Sequence, residues 1–356
     1  MRPTAATAVP ETAQPAPTDD LDGGRLESWL ARAVEGYAGP LEVRRFAGGQ
    51  SNPTYQLITP HRRYVLRRKP AGPLLRSAHA VDREFRAIRA LRDAGYPVPQ
   101  AFALCDDDSV IGSMFYVMEM VEGRILWDGR LPDATPTERA AIYDAQIQVL
   151  ARLHVLEPQE IGLADFGPAG NYYGRQVARW TKQYRASEQD PIPEMDRLID
   201  WLPRSLPPER PARVVHGDFR LDNMVFHPSE PRVVAVLDWE LSTLGDPIAD
   251  LTYLLMQWVM PPGERNSLLD ADLAALGIPD VEACLARYGE LTGQSVDSLD
   301  WCFAYNLFRL AAILQGVAGR FLAGNASSER AARAAGRVRP LAMTAWQFAL
   351  KAGARG

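Results

Sequence analysis

The chain has 356 residues, 47 % of them apolar and 23 % charged, with a formal net charge of −5. Because single hydrophobic cores stop growing near roughly 250–300 residues, this length and apolar content call for more than one lobe, and two are expected. The mildly acidic balance, with no long basic block, leaves no electrostatic footprint for nucleic acid, so the expected partner is a small molecule.

Residues 1–24, rich in Ala, Pro and Thr, lack the basic start and apolar core of a secretory signal and read as a disordered tail. Cys105, Cys284 and Cys302 show neither metal-ligand spacing nor an even disulfide count, so they read as buried thiols of a reduced, cytoplasmic compartment. Residues 26–33 predict a short helix and 42–46 a first strand. Alternation over 54–59, a turn at 60–63 and a strand at 64–67 follow. Between the first two strands, Gly48, Gly49, Gln50, Ser51 and Asn52 form a loop. Glycine permits close approach and positive φ, so its N–H groups and the Ser51 hydroxyl suit phosphate oxygens; a plain hairpin turn explains the same letters.

Residues 80–93 predict a helix with Val81, Phe85, Ile88 and Leu91 on one apolar stripe and Glu84 inside it. A carboxylate in that place needs a cation, and Arg67 on the preceding strand is the expected partner. Gly95, Pro97 and Pro99 end the helix. A strand over 114–121 runs into Glu122-Gly123-Arg124, which reads as a hinge. The pattern over 137–155, with Ile142, Ala145, Val149 and Leu153, predicts a core helix of a larger lobe. Trp180, Tyr184 and Trp201 read as core. The apolar run 251–260 stops at Pro261, and Arg309 breaks the run at 307–314, so neither reaches the about 20 residues a bilayer takes.

The stretch 214–239, VVHGDFRLDNMVFHPSEPRVVAVLDW, carries the chemistry. Asp218 is followed five residues later by Asn223, and a short hairpin returns Asp238 to the same end of its two strands. A hydroxyl attacking the terminal phosphoryl of ATP needs a carboxylate to orient it and accept its proton. Magnesium prefers carboxylate and amide oxygens and takes one or two protein carboxylates. Asp218 therefore reads as the base, with Asn223 and Asp238 as metal ligands. The order His216, Asp218, Asn223, Asp238 is the kinase order. Trp239 and Glu240 stand where a protein kinase has Phe-Gly. Gly245-Asp246-Pro247 follows almost at once, in place of a long activation segment, which points to a small acceptor. Taken singly, aspartates in such positions are often turn formers, and Asp222, Asp246 and Asp250 read as caps or braces.

The ordered segments FAGGQSNPTY, YVLRRKP, HGDFRLDN and LDWELSTLGDPIADL resemble the aminoglycoside phosphotransferase and choline kinase superfamily. The likeness is greatest to the kinase-like domain fused ahead of certain acyl-CoA dehydrogenases, and it covers roughly residues 40–255. The resemblance implies an α+β, protein-kinase-like, two-lobed fold. Its small N-terminal lobe, 25–121, would hold an antiparallel sheet plus a helix, and its larger, mainly helical C-terminal lobe would span 122–356.

It also implies ATP and Mg2+ as cofactors and a hydroxyl of a small molecule as acceptor. Gly48 to Asn52 and Arg67 would meet phosphates, with Glu84 paired to Arg67, and the main chain of Glu119, Met120 and Val121 would lie beside adenine. Arg220 would stabilise transition-state charge, His216 would scaffold the loop, and Asp250 would hold that loop through its backbone. The nearest branch favours a hydroxyacyl thioester of coenzyme A as acceptor. An aminoglycoside or macrolide kinase is the alternative enzyme, and a nucleotide-binding pseudokinase is the alternative of another class. Arg333, Arg337, Arg339, Lys351 and Arg355 near the C-terminus make an acidic acceptor easier to accommodate than a polycation.

Overall fold

The computed structural model describes residues 15–18, 21–46, 52–70, 80–168, 170–262, 264, 266–296, 298–322 and 328–355. In chain order the elements are β1 (Pro15–Pro17), α1 (Gly23–Ala33), β2 (Glu42–Phe46), β3 (Thr54–Ile58), β4 (Arg63–Arg68), α2 (Val81–Asp93), β5 (Ala101–Cys105) and β6 (Phe115–Glu119). There follow α3 (Pro136–His154), α4 (Tyr172–Ser187), α5 (Pro193–Trp201), β7 (Arg213–Val215), β8 (Met224–Phe226), β9 (Val233–Val236) and β10 (Thr243–Gly245). Helices α6 (Pro247–Leu255), α7 (Leu273–Leu276), α8 (Val281–Thr292), α9 (Asp300–Leu322) and α10 (Ser328–Lys351) complete the chain.

The chain divides into two compact units by space instead of by one cut in sequence. The first takes the residues up to Leu126 with Gln159–Phe166 and Asp222–Ser242; the second takes Trp127–Pro158, Gly167–Leu221 and Thr243 onward.

The first unit is built on a six-stranded antiparallel sheet of order β1-β2-β3-β4-β6-β5. Successive side chains of a strand face opposite ways. Tyr64 and Leu66 of β4 join Phe115 and Val117 of β6 in one apolar cluster with Leu26, Leu30 and Val34 from α1 and the residue after it. Arg67 and Tyr116 meet α2 on the other face, through Glu84 and Phe85. Along α2 the buried positions are Val81, Glu84, Ala87, Ile88 and Leu91. Phe85 lies half-buried at the edge of the stripe, where Arg89 covers its ring. Within the segment read as a tail, Pro15–Pro17 pairs with Phe46–Arg44 of β2. Prolines fit there because β1 is an edge strand, where a missing N–H costs no ladder bond.

The β8–β9 hairpin belongs to this unit. Val236 N–H donates to Pro97 O at 2.8 Å, and Arg124 bridges Phe226. A Cβ on Gly123 would lie 2.2 Å from Phe226 O, so only glycine allows this approach.

The second unit is mainly helical. β7 and β10 pair antiparallel, and α6 starts after Asp246, whose carboxylate accepts from Ile248 N–H at 2.8 Å, the cap expected from its position. α9 packs along α10 and α4, and α3 packs on α8. The sequence reading of 307–314 is corrected here: residues 300–319 are long and apolar enough to cross a membrane by length and composition. The helix reaches that length because Arg309 does not interrupt it, and 78 % of the window is buried within the protein, as in a core helix. Trp180 and Tyr184 are buried and Trp201 is half-buried. The three cysteines are free and buried.

Candidate active site

Arg67 is the charged centre of the first unit. Its Nη1 lies 2.9 Å from Glu84 Oε1, and Nη1 and Nη2 both donate to Asp238 Oδ1 at 3.0 Å. Nη2 also reaches Glu240 Oε2 at 3.5 Å, and that same oxygen accepts from Asn52 Nδ2 at 3.2 Å. The ion pair expected between strand and helix is therefore present. Burial alone would lower the Arg67 pKa, but Glu84, Asp238, Tyr116 and Glu240 raise it well above its usual value, so Arg67 is a permanent cation. Burial pushes the Glu84 carboxyl up to about 7 against the pull of Arg67.

Asn223 and Asp238 flank one end of the β8–β9 hairpin. Met224 pairs with Val236, and one step outward Leu237 N–H donates to Asn223 O at 2.8 Å, so the two residues leave the ladder together. Asp238 adopts φ +68°, a left-handed conformation uncommon outside glycine and enriched for aspartate. Such backbone strain persists only where surroundings fix it, and here Arg67 holds the side chain. One amide oxygen and one partly exposed carboxylate form a hard oxygen donor set of the kind magnesium takes. Among the described residues, no cluster of three or more His, Cys, Asp or Glu could hold a metal ion by itself. A divalent ion here would therefore depend on Asn223, Asp238 and the ligand's own oxygens.

The second unit holds a separate group of charged residues around Asp218. Buried Asp250 accepts from the N–H groups of His216 and Gly217, the latter at 2.8 Å, which is the bracing expected of it. His154 supports Asp250 from behind, with Nε2 at 3.7 Å and Nδ1 bonded to Tyr288 Oη at 2.8 Å. Asp218 N–H donates to His216 Nδ1 at 3.1 Å, so the histidine braces the loop. Gly217 sits at φ +82°, open to glycine without strain. Arg220 Nε donates to Asp218 Oδ2 at 3.1 Å, and the Tyr253 hydroxyl favours the ionised form of the same carboxylate. Burial opposes ionisation of Asp218, yet Arg220, Tyr253, His216 and Arg309 hold its pKa below the usual value. Asp218 is thus an anion at neutral pH, suited to orienting a hydroxyl and accepting its proton late in the reaction.

A pocket of about 200 Å³ lies in the same unit. Arg220 and Tyr253 line it together with apolar Leu221, Leu254, Met256 and Leu310. Glu264 is the one carboxylate among its described lining residues, and Arg337 Nε holds both its oxygens, at 2.8 and 2.7 Å. Of the C-terminal cations, Arg337 is consumed in this pair and Lys351 lies over the Phe348 ring.

The site residues expected from sequence therefore fall into two groups. Arg67, Glu84, Asn52 and Asp238 are joined in one network of the first unit, and Asp218 and Arg220 are joined in the second. Gly48, Gly49, Gln50 and Ser51 lie outside the described residues. Glu119 ends β6 with its N–H committed to Gln100 O at 2.8 Å, and Met120 and Val121 follow the strand. Sequence reasoning missed Glu240, Tyr253 and Arg309 as site residues. The signals were a carboxylate two places after Asp238 and a lone arginine in an apolar run.

Fold and site together define a kinase-like phosphotransferase for small molecules. The model of the phosphotransferase enzyme family matches residues 42–291. The chain is 46 % identical over 351 residues to acyl-CoA dehydrogenase family member 10 of Mus musculus, covering 98 % of this chain and 33 % of that protein. It is 41 % identical over 355 residues to family member 11 of Homo sapiens, covering 98 % and 45 %. The chain thus spans less than half the length of these two relatives. A Ralstonia eutropha JMP134 protein named for the aminoglycoside phosphotransferases superposes with TM-score 0.85 at 48 % identity, covering 93 % of this chain and 99 % of that one. At 17 % identity, an aminoglycoside phosphotransferase in ternary complex with ADP and hygromycin B shares the fold, with TM-score 0.57 over 90 % and 98 % of the two chains. This chain belongs to the phosphotransferase enzyme family.

Proposed function

We propose that the protein transfers the terminal phosphoryl group of ATP, with Mg2+, to a hydroxyl on an apolar-bodied small molecule, and that a hydroxyacyl thioester of coenzyme A is the acceptor. The observation that supports this reading is the ionised Asp218 carboxylate, bonded by Arg220, which together with Tyr253 lines a partly apolar pocket. Asp218 orients the acceptor hydroxyl and takes its proton. Arg220 lies beside the same carboxylate and offsets charge on the transferring group. Arg67, fixed by Glu84, meets phosphate oxygens. Asn223 and Asp238 would hold the metal, which supplies neutralisation of phosphate charge when bound.

Two features favour a thioester over a polycationic antibiotic. The pocket's one carboxylate among its described lining residues is already neutralised by Arg337, and a polycation needs free carboxylates. The relatives that match most of this chain carry acyl-CoA dehydrogenase names. The hygromycin B complex of the distant neighbour supports the antibiotic alternative only through the shared fold.

The test is ADP release from Mg-ATP against hydroxyacyl-CoA thioesters, choline-like alcohols, aminoglycosides and macrolides. Stimulation by a hydroxyacyl-CoA is expected. Stimulation by an antibiotic alone would overturn the acceptor, and stimulation by none of them would count against the transfer itself.

A further inference from the structure

Arg309 is a charged residue in the middle of the apolar helix α9, and its side chain is only 3 % exposed. Burying a cation without partners is costly, so its contacts mark what it is there to hold. One guanidinium nitrogen donates to the carbonyl of Gly217, the residue directly before Asp218. The guanidinium also stacks 4.9 Å from the ring centroid of Tyr253 on α6 and 5.3 Å from that of Trp180 on α4.

Tyr253 is also the residue whose hydroxyl favours the ionised form of the Asp218 carboxylate. The loop is therefore gripped on two sides. Asp250 takes the N–H groups of His216 and Gly217, and Arg309 takes the Gly217 carbonyl. The peptide plane leading into Asp218 has little freedom left. Tyr305 from its own helix, Tyr172 and Arg179 from α4, Tyr253 and Asp218 complete the charged and titratable surroundings of Arg309.

We propose that Arg309 is a positioning residue for phosphoryl transfer: by holding the Gly217 carbonyl and the Tyr253 ring at once, it sets the direction in which Asp218 faces the acceptor hydroxyl. This rests on the reading of Asp218 as the base. A lysine in its place would keep the charge but offer a point donor without a planar face, so it could not serve both contacts.

The experiment compares wild type, Arg309→Lys, Tyr253→Phe and the double variant. It measures kcat, KM for the acceptor, Mg-ATP affinity and thermal midpoint. Each single variant is expected to lose about ten- to a hundredfold in kcat, the scale of a small misplacement of a reacting group, with Mg-ATP affinity unchanged. The double variant should fall by less than the product of the two single losses, because both act on the one carboxylate of Asp218. A wild-type kcat in Arg309→Lys, or losses that multiply in the double variant, would overturn the proposal. Should Arg309→Lys fail to fold, an unchanged kcat in Tyr253→Phe overturns it equally. Should no acceptor be turned over by the wild type, the functional reading fails. The same four proteins are then compared on ATP hydrolysis to water, with the same expectations.

Discussion

Arg67 offers two of its nitrogens to a single oxygen of Asp238, each at 3.0 Å, while Glu84 meets the same guanidinium at 2.9 Å. The cation that would serve phosphates is thus fixed by a buried carboxylate on α2 and bonded to the carboxylate that would serve the metal. Glu240 adds a third acid to this group at 3.5 Å. Removing any one acid leaves Arg67 paired.

That redundancy decides what Glu84→Gln does. Burial raises the Glu84 carboxyl from 4.5 to about 7, so between those pH values the folded state holds its proton more tightly than the unfolded chain. Stability contributed by this group therefore falls as pH rises through that window. Glu84→Gln, which keeps the shape without the charge, should gain stability relative to wild type from pH 5 to 8 in urea unfolding. Its KM for Mg-ATP should rise about tenfold as Arg67 loses a fixed partner. A variant that loses stability relative to wild type on raising the pH would refute the sign.

Asp250 works in the opposite sense. Burial disfavours its charge, but His154, His216 and the Gly217 N–H together hold its pKa below the usual 3.8. Its contribution is present above that value and lost as pH falls through the lower, folded-state pKa. Asp250→Ala leaves two buried N–H groups without their acceptor, so a loss of about 3 kcal/mol at pH 7 is expected, and activity should fall with the loop. Urea unfolding at pH 7 and near pH 3 checks both the size and the narrowing of the gap.

The Arg337–Glu264 pair bears on the acceptor. The Glu264 side chain is only 4 % exposed, whereas Arg337 is 38 % exposed. Arg337→Ala should cost about 1–2 kcal/mol, allowing for solvent screening at the exposed partner, because it strands a buried carboxylate. It should also improve binding of cationic acceptors, read as a lower KM for an aminoglycoside. An unchanged preference would detach Glu264 from acceptor choice.

Much of this was legible in the chain itself. The 3.6-residue stripe of α2 placed Glu84 inward, and alternation along β4 placed Arg67 on the face that meets it. The spacing from Asn223 to Asp238 matched a short hairpin whose end brings both residues out together. What stayed hidden depends on contacts that local pattern does not encode. Arg309 looked like a break in an apolar run, yet its partners Trp180, Tyr253 and Gly217 lie on α4, on α6 and in the loop after β7. Nothing near Arg337 in the sequence pointed to its partner, because Glu264 lies 73 residues away. β5 was missed because its strand, AFALC, is short and follows two prolines in a stretch without clean alternation.

The central claim is that Asp218 acts on the acceptor while Asp238 acts on the metal-bound nucleotide. Asp218→Asn and Asp238→Ala separate these roles when acceptor-dependent transfer and nucleotide affinity, with and without magnesium, are measured on the same preparations. The account predicts that Asp218→Asn loses about a thousandfold or more in kcat with Mg-ATP affinity within twofold of wild type, and that Asp238→Ala abolishes the magnesium dependence of nucleotide binding. Full transfer activity in Asp218→Asn, or magnesium-dependent binding intact in Asp238→Ala, would contradict it.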